Sequence, residues 1–392
     1  MGCSCGIAGR DLRQSQARCA LKRPTLGITL LTFFVVAPAC NRNKPEEPGS
    51  IVAATELTGS DVLPHADGKI HRGRSYIYCA TYQLVWGELR KQLSGARVRL
   101  TGNPPLATEL NEHAFDSAHL SPTDYLAMAG RVDEGIVAKI RTALGTRFPR
   151  ATLPVPEPPA RGLYLYSYLS KQMPFAERFD RIAPIEFRSG GGRFKVAAFG
   201  IDRFYSSSKR GQAIKEQVAI LSYRSEDDFI LRLNTTANED QLLLAKISPE
   251  STLAETVAKV ENRLKQVAAE QPIKFPRAEK YLYQPIDEES LKIPILSLAV
   301  DRAYDELTDR PIENRELAGL PISVARQVIR FHLDERGAQL ESNAWDAVKS
   351  VQTDRPRQLV FDKPFLLYLK QAGEHSPYFA LWVDSADLLR RQ

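Results

Sequence analysis

The sequence predicts an α+β fold built around a large sheet. Helical apolar spacing falls mainly before residue 150. From residue 163 onward, segments with strand character alternate with polar or glycine-rich turns. Of the 392 residues, 43% are hydrophobic and 26% charged, an ordinary globular balance. Helices first and many strands afterwards favour segregated layers over a βαβ repeat.

In chain order, Tyr76–Leu93 carries apolar residues near helical spacing and is expected as an amphipathic helix. Ser121-Pro122 opens a second helical stretch through Tyr125, Leu126 and Met128, and Ile136–Leu144 forms a third. Four prolines within residues 151–160 make a break. Leu163–Leu169 is a strand or a short buried helix, and Ser189-Gly190-Gly191-Gly192 is a turn. Strands are expected over Lys195–Ile201, Gln217–Tyr223, Phe229–Leu233 and Gln241–Ile247. Thr252 and Glu255 form a capping box, and Leu253, Val257, Val260 and Leu264 share the face of the helix it opens. Leu291–Val300 reads as one strand containing a proline, and Arg326–Leu333 alternates as a second. Phe365–Lys370 and Tyr378–Val383 are the final strand pair, joined through Gly373.

The N-terminus is a different object. Lys22-Arg23 precedes the apolar run Leu26–Ala37, the pattern of a secretory signal. Ala37-Pro38-Ala39-Cys40 resembles a bacterial lipoprotein cleavage box, with Ala37 where leucine is usual. The resemblance implies a lipid on Cys40, export, and anchoring at the cell envelope on its periplasmic or cell-surface face. Residues 1–39 are assigned as signal peptide, 40–70 as a flexible linker on the strength of Pro45, Glu46, Glu47, Pro48, Gly49 and Ser50, and 71–392 as one domain.

Charge narrows the partners. Residues 1–39 hold Arg10, Arg13, Arg18, Lys22 and Arg23 against Asp11, so +2 of the chain's +6 remains for the rest. A nearly neutral body argues against nucleic-acid binding through phosphate charge. Beyond Cys40 only Cys79 remains, in an apolar setting that fits a buried inert thiol. The body has no G-x-S-x-G, P-loop, H-E-x-x-H or C-x-x-C motif, so no catalytic residue, metal ligand or cofactor is assigned. His113 and His119, six apart, do not share a helix face. Glu226-Asp227-Asp228 and Asp287-Glu288-Glu289 are expected as solvated turns.

The C-terminal third carries a resemblance. Asp334-Glu335-Arg336-Gly337 ends a strand, and Phe361, 26 positions after Glu335, opens Phe361-Asp362-Lys363-Pro364-Phe365. These segments are similar to the D-E-x-G and F-x-x-P-F motifs of serpins. Ser376-Pro377-Tyr378-Phe379 resembles the family's turn into the last strand, and Tyr164–Phe179 and Leu291–Pro294 are similar to two upstream segments. The resemblance covers residues 160–383. Residues 71–150 are too few for the family's full set of N-terminal helices.

The resemblance implies a central sheet, an exposed loop over residues 338–359, a hinge at Glu335, Gly337 and Ala338, and a monomer. It implies a protein partner, of which a protease is one candidate, with a scissile region at Lys349, Ser350, Val351 or Gln352, or at Arg355. Arg355 precedes Pro356, which lacks an N–H. In an inhibitory serpin the cleaved loop inserts into the central sheet, so alternate loop residues must tolerate burial. That set is Ala338, Leu340, Ser342, Ala344, Asp346 and Val348. Asp346 unpaired in the sheet would cost several kcal/mol. Gln339-Leu340-Glu341 also replaces the small residues usual in inhibitors. The family's usual lysine partner for Glu335 is Ile295 here, with Lys292 three residues earlier. These departures favour a non-inhibitory, non-enzymatic binding protein over a suicide-type protease inhibitor, and both readings stay open.

Overall fold

The computed structural model describes residues 50–149, 153–171, 173–237, 239–274, 283–338 and 356–392. In chain order the elements are β1 (Val52–Ala53), β2 (Ser60–Leu63), β3 (Ser75–Cys79), α1 (Thr81–Gln92), α2 (Pro105–Glu112), β4 (Tyr125–Arg131), α3 (Ile136–Arg147) and β5 (Leu163–Ser170). There follow β6 (Met173–Pro174), β7 (Asp180–Ser189), β8 (Gly192–Ile201), α4 (Lys209–Glu216), β9 (Val218–Ser225), β10 (Asp228–Leu233), β11 (Asp240–Lys246) and α5 (Leu253–Lys274). The chain ends with β12 (Ser290–Pro294), β13 (Leu296–Ala303), β14 (Ile322–Leu333), β15 (Gly337–Ala338), β16 (Gln358–Val360), β17 (Phe365–Gln371) and β18 (Phe379–Val383).

Three larger sheets and one short pair result. A five-stranded sheet runs β1-β13-β14-β5-β4, a seven-stranded sheet β2-β3-β18-β17-β11-β10-β9, and a four-stranded sheet β16-β12-β8-β7. Strand β15 pairs with β6. Pairing is mainly antiparallel. The parallel exceptions among the described residues are β1–β13, β2–β3, β12–β16 and, centrally, β14–β5.

Burial on both faces explains β5. Leu163 and Leu165 enter a core cluster with Tyr82, Val85, Trp86 and Leu89 of α1. Tyr164, Tyr166 and Tyr168 point the other way, into a cluster with Ile136, Ile140 and Leu144 of α3. A strand covered on both sides shows no polar alternation, so a strand and a buried helix read alike in its sequence. The largest cluster joins the seven-stranded sheet to α5 through Leu253, Val257 and Val260. The expected capping box is present: Thr252 N donates to Glu255 Oε2 at 3.1 Å, and Glu255 N to Thr252 Oγ1 at 3.1 Å.

The structure corrects several expectations. Residues 50–70 are not a tether, because β1 pairs with β13 and β2 with β3. Tyr76–Leu93 divides: Ser75–Cys79 is a fully buried strand, and helical periodicity begins at Thr81. Tyr125–Arg131 is a strand rather than a helix. Its Ala, Leu and Met residues favour helix, but pairing with β5 overrides propensity. Leu291–Val300 is two strands in two sheets. The chain changes sheet at Ile295, whose N–H donates to Ala197 O at 2.8 Å, and Leu296 then pairs with Leu333.

Candidate functional site

The site is the place where β14 leaves the five-stranded sheet. Ile322–Arg330 pairs in parallel with Leu163–Ser170, so β14 and β5 are direct neighbours. Within this seam Gln327 stands opposite Ser167, and both side chains are buried. Gln327 Nε2 donates to Cys79 O at 2.9 Å and Thr81 Oγ1 at 3.0 Å, and its Oε1 accepts from Tyr304 OH at 2.8 Å. Thr81, the first residue of α1, also reaches Ser167 Oγ at 3.4 Å. A polar network thus fastens both seam strands to the start of α1. Burial pushes the Cys79 thiol up to about 11, so it stays protonated and unreactive as expected.

Beyond Leu333 the chain turns out of the sheet. Glu335 O accepts from Phe179 N at 2.9 Å, and Arg336 O from Phe175 N at 3.0 Å. Gly337–Ala338 then pairs antiparallel with Met173–Pro174. Gly337 has φ +99°, and a Cβ there would stand 2.4 Å from Phe175 N and 2.6 Å from Pro174 Cα. Only glycine fits so close a strand crossing in this backbone region.

Each described flank of the connector is held by a buried carboxylate. At the exit, Glu335 is fully buried and its Oε1 accepts from Arg178 Nη2 at 2.6 Å. Arg181 Nε lies 3.5 Å from the other carboxylate oxygen. Lys292 instead pairs with Asp202 at 2.6 Å, so arginines near the start of β7 supply the charge. At the return, Glu289 is fully buried. It accepts from Arg357 Nε at 2.5 Å, Arg357 Nη2 at 3.0 Å and Ile286 N at 2.9 Å. Arg357 immediately precedes β16, which lies parallel to β12.

Glu289 therefore corrects the expected solvated turn, whereas Glu226, Asp227 and Glu288 lie in exposed turns as expected. Asp287 pairs with buried Lys215. Asp227 bridges Lys246 at 2.9 Å and Lys363 at 2.5 Å, and Asp228 pairs with Arg263. His113 and His119 are apart, the first beside Asp67 at 3.0 Å and the second beside Glu374 at 3.1 Å. Cys40, Lys349, Ser350, Val351, Gln352 and Arg355 lie outside the described residues, as does the leader.

The two motif segments thus belong to one body: Asp334–Gly337 closes a central-sheet strand, and Phe361–Phe365 leads from β16 into β17, which pairs with β18. The fold is serpin-like. No family model and no curated protein matches the chain. Among solved structures it is similar to a serine protease inhibitor, serpin-12 of Manduca sexta, at 11% identity over 86% of this chain and 96% of that one, TM-score 0.49. It is also similar to human thyroxine-binding globulin complexed with thyroxine (13% identity, 81% and 93% covered, TM-score 0.43). A third is native protease nexin-1 with heparin (9% identity, 82% and 93% covered, TM-score 0.47).

The hinge expected from the sequence comprises Glu335, Gly337 and Ala338; Arg178, Glu289, Arg357, Gln327 and Thr81, which hold this region in the structure, are not singled out by it. The one available signal was Arg357 itself, a cation set immediately before the short segment Gln358–Val360 that leads into Phe361.

Proposed function

We propose that this chain is a serpin-type binding protein of the cell envelope, held there by a lipid on Cys40, that displays the connector between Ala338 and Gln358, narrower than the 338–359 expected because both ends lie in strands, to a protein partner without inserting it. One observation carries this reading. The chain leaves the five-stranded sheet after Leu333, pairs at Gly337–Ala338 with Met173–Pro174, and is clamped on either side of the connector by Glu335–Arg178 and Glu289–Arg357. Gln339-Leu340-Glu341, next in sequence, lacks the small side chains that entering the seam would favour. Binding rather than catalysis is the activity proposed.

Incubation with trypsin-, elastase- and subtilisin-like proteases is the test. Cleavage without an SDS-stable complex, and without a large rise in melting temperature afterwards, supports the reading. A stable complex overturns it. The anchor is tested separately: Cys40→Ser should abolish lipid labelling and release the protein from membranes.

The inhibitory alternative has its own supporting observation. Strands β5 and β14 are parallel, so a segment folding back from β14 would run antiparallel to both. Insertion would have to part the seam and its Gln327 network first.

A further inference from the structure

Away from the connector, the loop after β2 and the end of α2 bring together two histidines and an aspartate. His113 Nδ1 lies 3.0 Å from Asp67 Oδ2, and His65 Nδ1 lies 3.8 Å from the same oxygen. One donor atom from each of His65, Asp67 and His113 falls within 4.8 Å of the others. The two imidazoles stack at 4.3 Å between centroids and 4° between planes.

The protonation pattern is informative. His65 Nε2 sits 3.2 Å from Glu109 Oε2. An ionised carboxylate only accepts, so Nε2 carries the hydrogen and the neutral ring keeps its lone pair on Nδ1. That Nδ1 is buried and has no hydrogen-bond partner among the described residues. A buried imidazole lone pair, backed through its other nitrogen by a carboxylate, is how proteins orient a metal-binding histidine.

We propose that His65, Asp67 and His113 bind a zinc-class divalent ion, with Glu109 as the positioning residue behind His65. Two imidazoles and one carboxylate suit zinc rather than calcium or magnesium, which prefer oxygen ligands. Ligands about 2.0–2.2 Å from a tetrahedral ion stand roughly 3.3–3.6 Å from one another, between the two spacings to Asp67 found here. The ion must lie in both ring planes, so the rings tilt out of their stack on binding. That motion uses the soft χ2 torsion of histidine. The ion takes the place of the hydrogen between His113 Nδ1 and Asp67, and the neutral His113 ring then carries its hydrogen on Nε2. Once bound, it ties the loop after β2 to α2, two segments far apart in sequence.

The experiment titrates the full-length protein with Zn²⁺ and Co²⁺. One equivalent should bind saturably. Co²⁺ should give the visible ligand-field bands of a tetrahedral nitrogen and oxygen site without a thiolate charge-transfer band. Zn²⁺ should raise the melting temperature, and EDTA should reverse the rise. Glu109→Gln should weaken binding about ten- to hundredfold. His65→Ala and His113→Ala should weaken it at least as much. Should an alanine variant fail to fold, Glu109→Gln still decides the matter. Absence of saturable binding, a thiolate spectrum from the cysteines, or unchanged affinity in all these variants would overturn the proposal.

Discussion

Arg178 and Glu335 form an ion pair of unequal exposure: the guanidinium is half in solvent, while the carboxylate is 1% exposed and accepts its hydrogen bond at 2.6 Å. The cost of breaking it depends on which side is cut. Arg178→Ala leaves a buried charge facing Arg181 at 3.5 Å and Arg336 at 3.9 Å. Full loss of a buried partner costs about 3–5 kcal/mol, and these remaining arginines reduce that to about 2–3. Glu335→Gln removes the charge itself and should cost less. Urea denaturation of both variants checks the order; equal effects would contradict it.

Gly337 permits a tighter test. Gly337→Ala drives a methyl to within 2.4 Å of Phe175 N at a backbone conformation of φ +99°. Strain of this kind costs about 1–3 kcal/mol, and the clash adds to it. Backbone displacement should loosen Gly337–Ala338 from Met173–Pro174 and speed proteolysis near the connector. An alanine variant as stable and resistant as the parent would show that the crossing is looser than described.

Gln327→Leu keeps the volume of the side chain and removes its hydrogen bonds. Tyr304 OH, Cys79 O and the Thr81 hydroxyl then lose a partner in a buried setting. The expected loss is about 2–4 kcal/mol, since unpaired buried polar groups cost about 1–3 kcal/mol each and partly share the deficit. Hydrogen exchange should quicken in β5 and β14 before it does in β17 and β18. Uniform quickening would mean that the network stabilises the whole body rather than the seam.

Acid sensitivity should localise to the end of β14. Burial alone would raise the Asp334 carboxyl, but His332 Nε2 at 3.3 Å and Arg336 N at 2.8 Å hold it below its usual 3.8. The folded chain then binds fewer protons than the unfolded chain near that pH. The stabilisation is present above about 3.8 and is lost as pH falls below it. Asp227, held low by Lys363 and Lys246, acts in the same sense. Asp301, raised by burial despite Arg326, acts oppositely. Asp334→Asn should flatten the fall in stability below about pH 4, as followed by thermal melts across that range.

Legibility in the sequence followed the range of the interactions. Strands β10, β11, β17 and β18 and the capping box at Thr252 depend on local patterning and stand where expected. The boundary between β3 and α1 was hidden because Ser75–Cys79 is buried throughout and its apolar residues merge with the helical face that follows. Strand β4 was hidden because helix-forming residues pair with β5. The motif located Glu335, but Arg178 lies 157 positions away, and no local pattern links them. Glu289 sits in an acidic run that reads as solvated, and only Arg357, 68 positions on, closes over it.

The change of sheet at Ile295 has a mechanical consequence. Strand β12 carries β16, where the connector returns, and runs through this single residue into β13, which carries β14, where the connector departs. Both flanks of the connector therefore hang from one unbroken rod. Tension applied at either flank passes through strand pairing into β12 or β13 and along the covalent chain at Ile295, so the two flanks are loaded together.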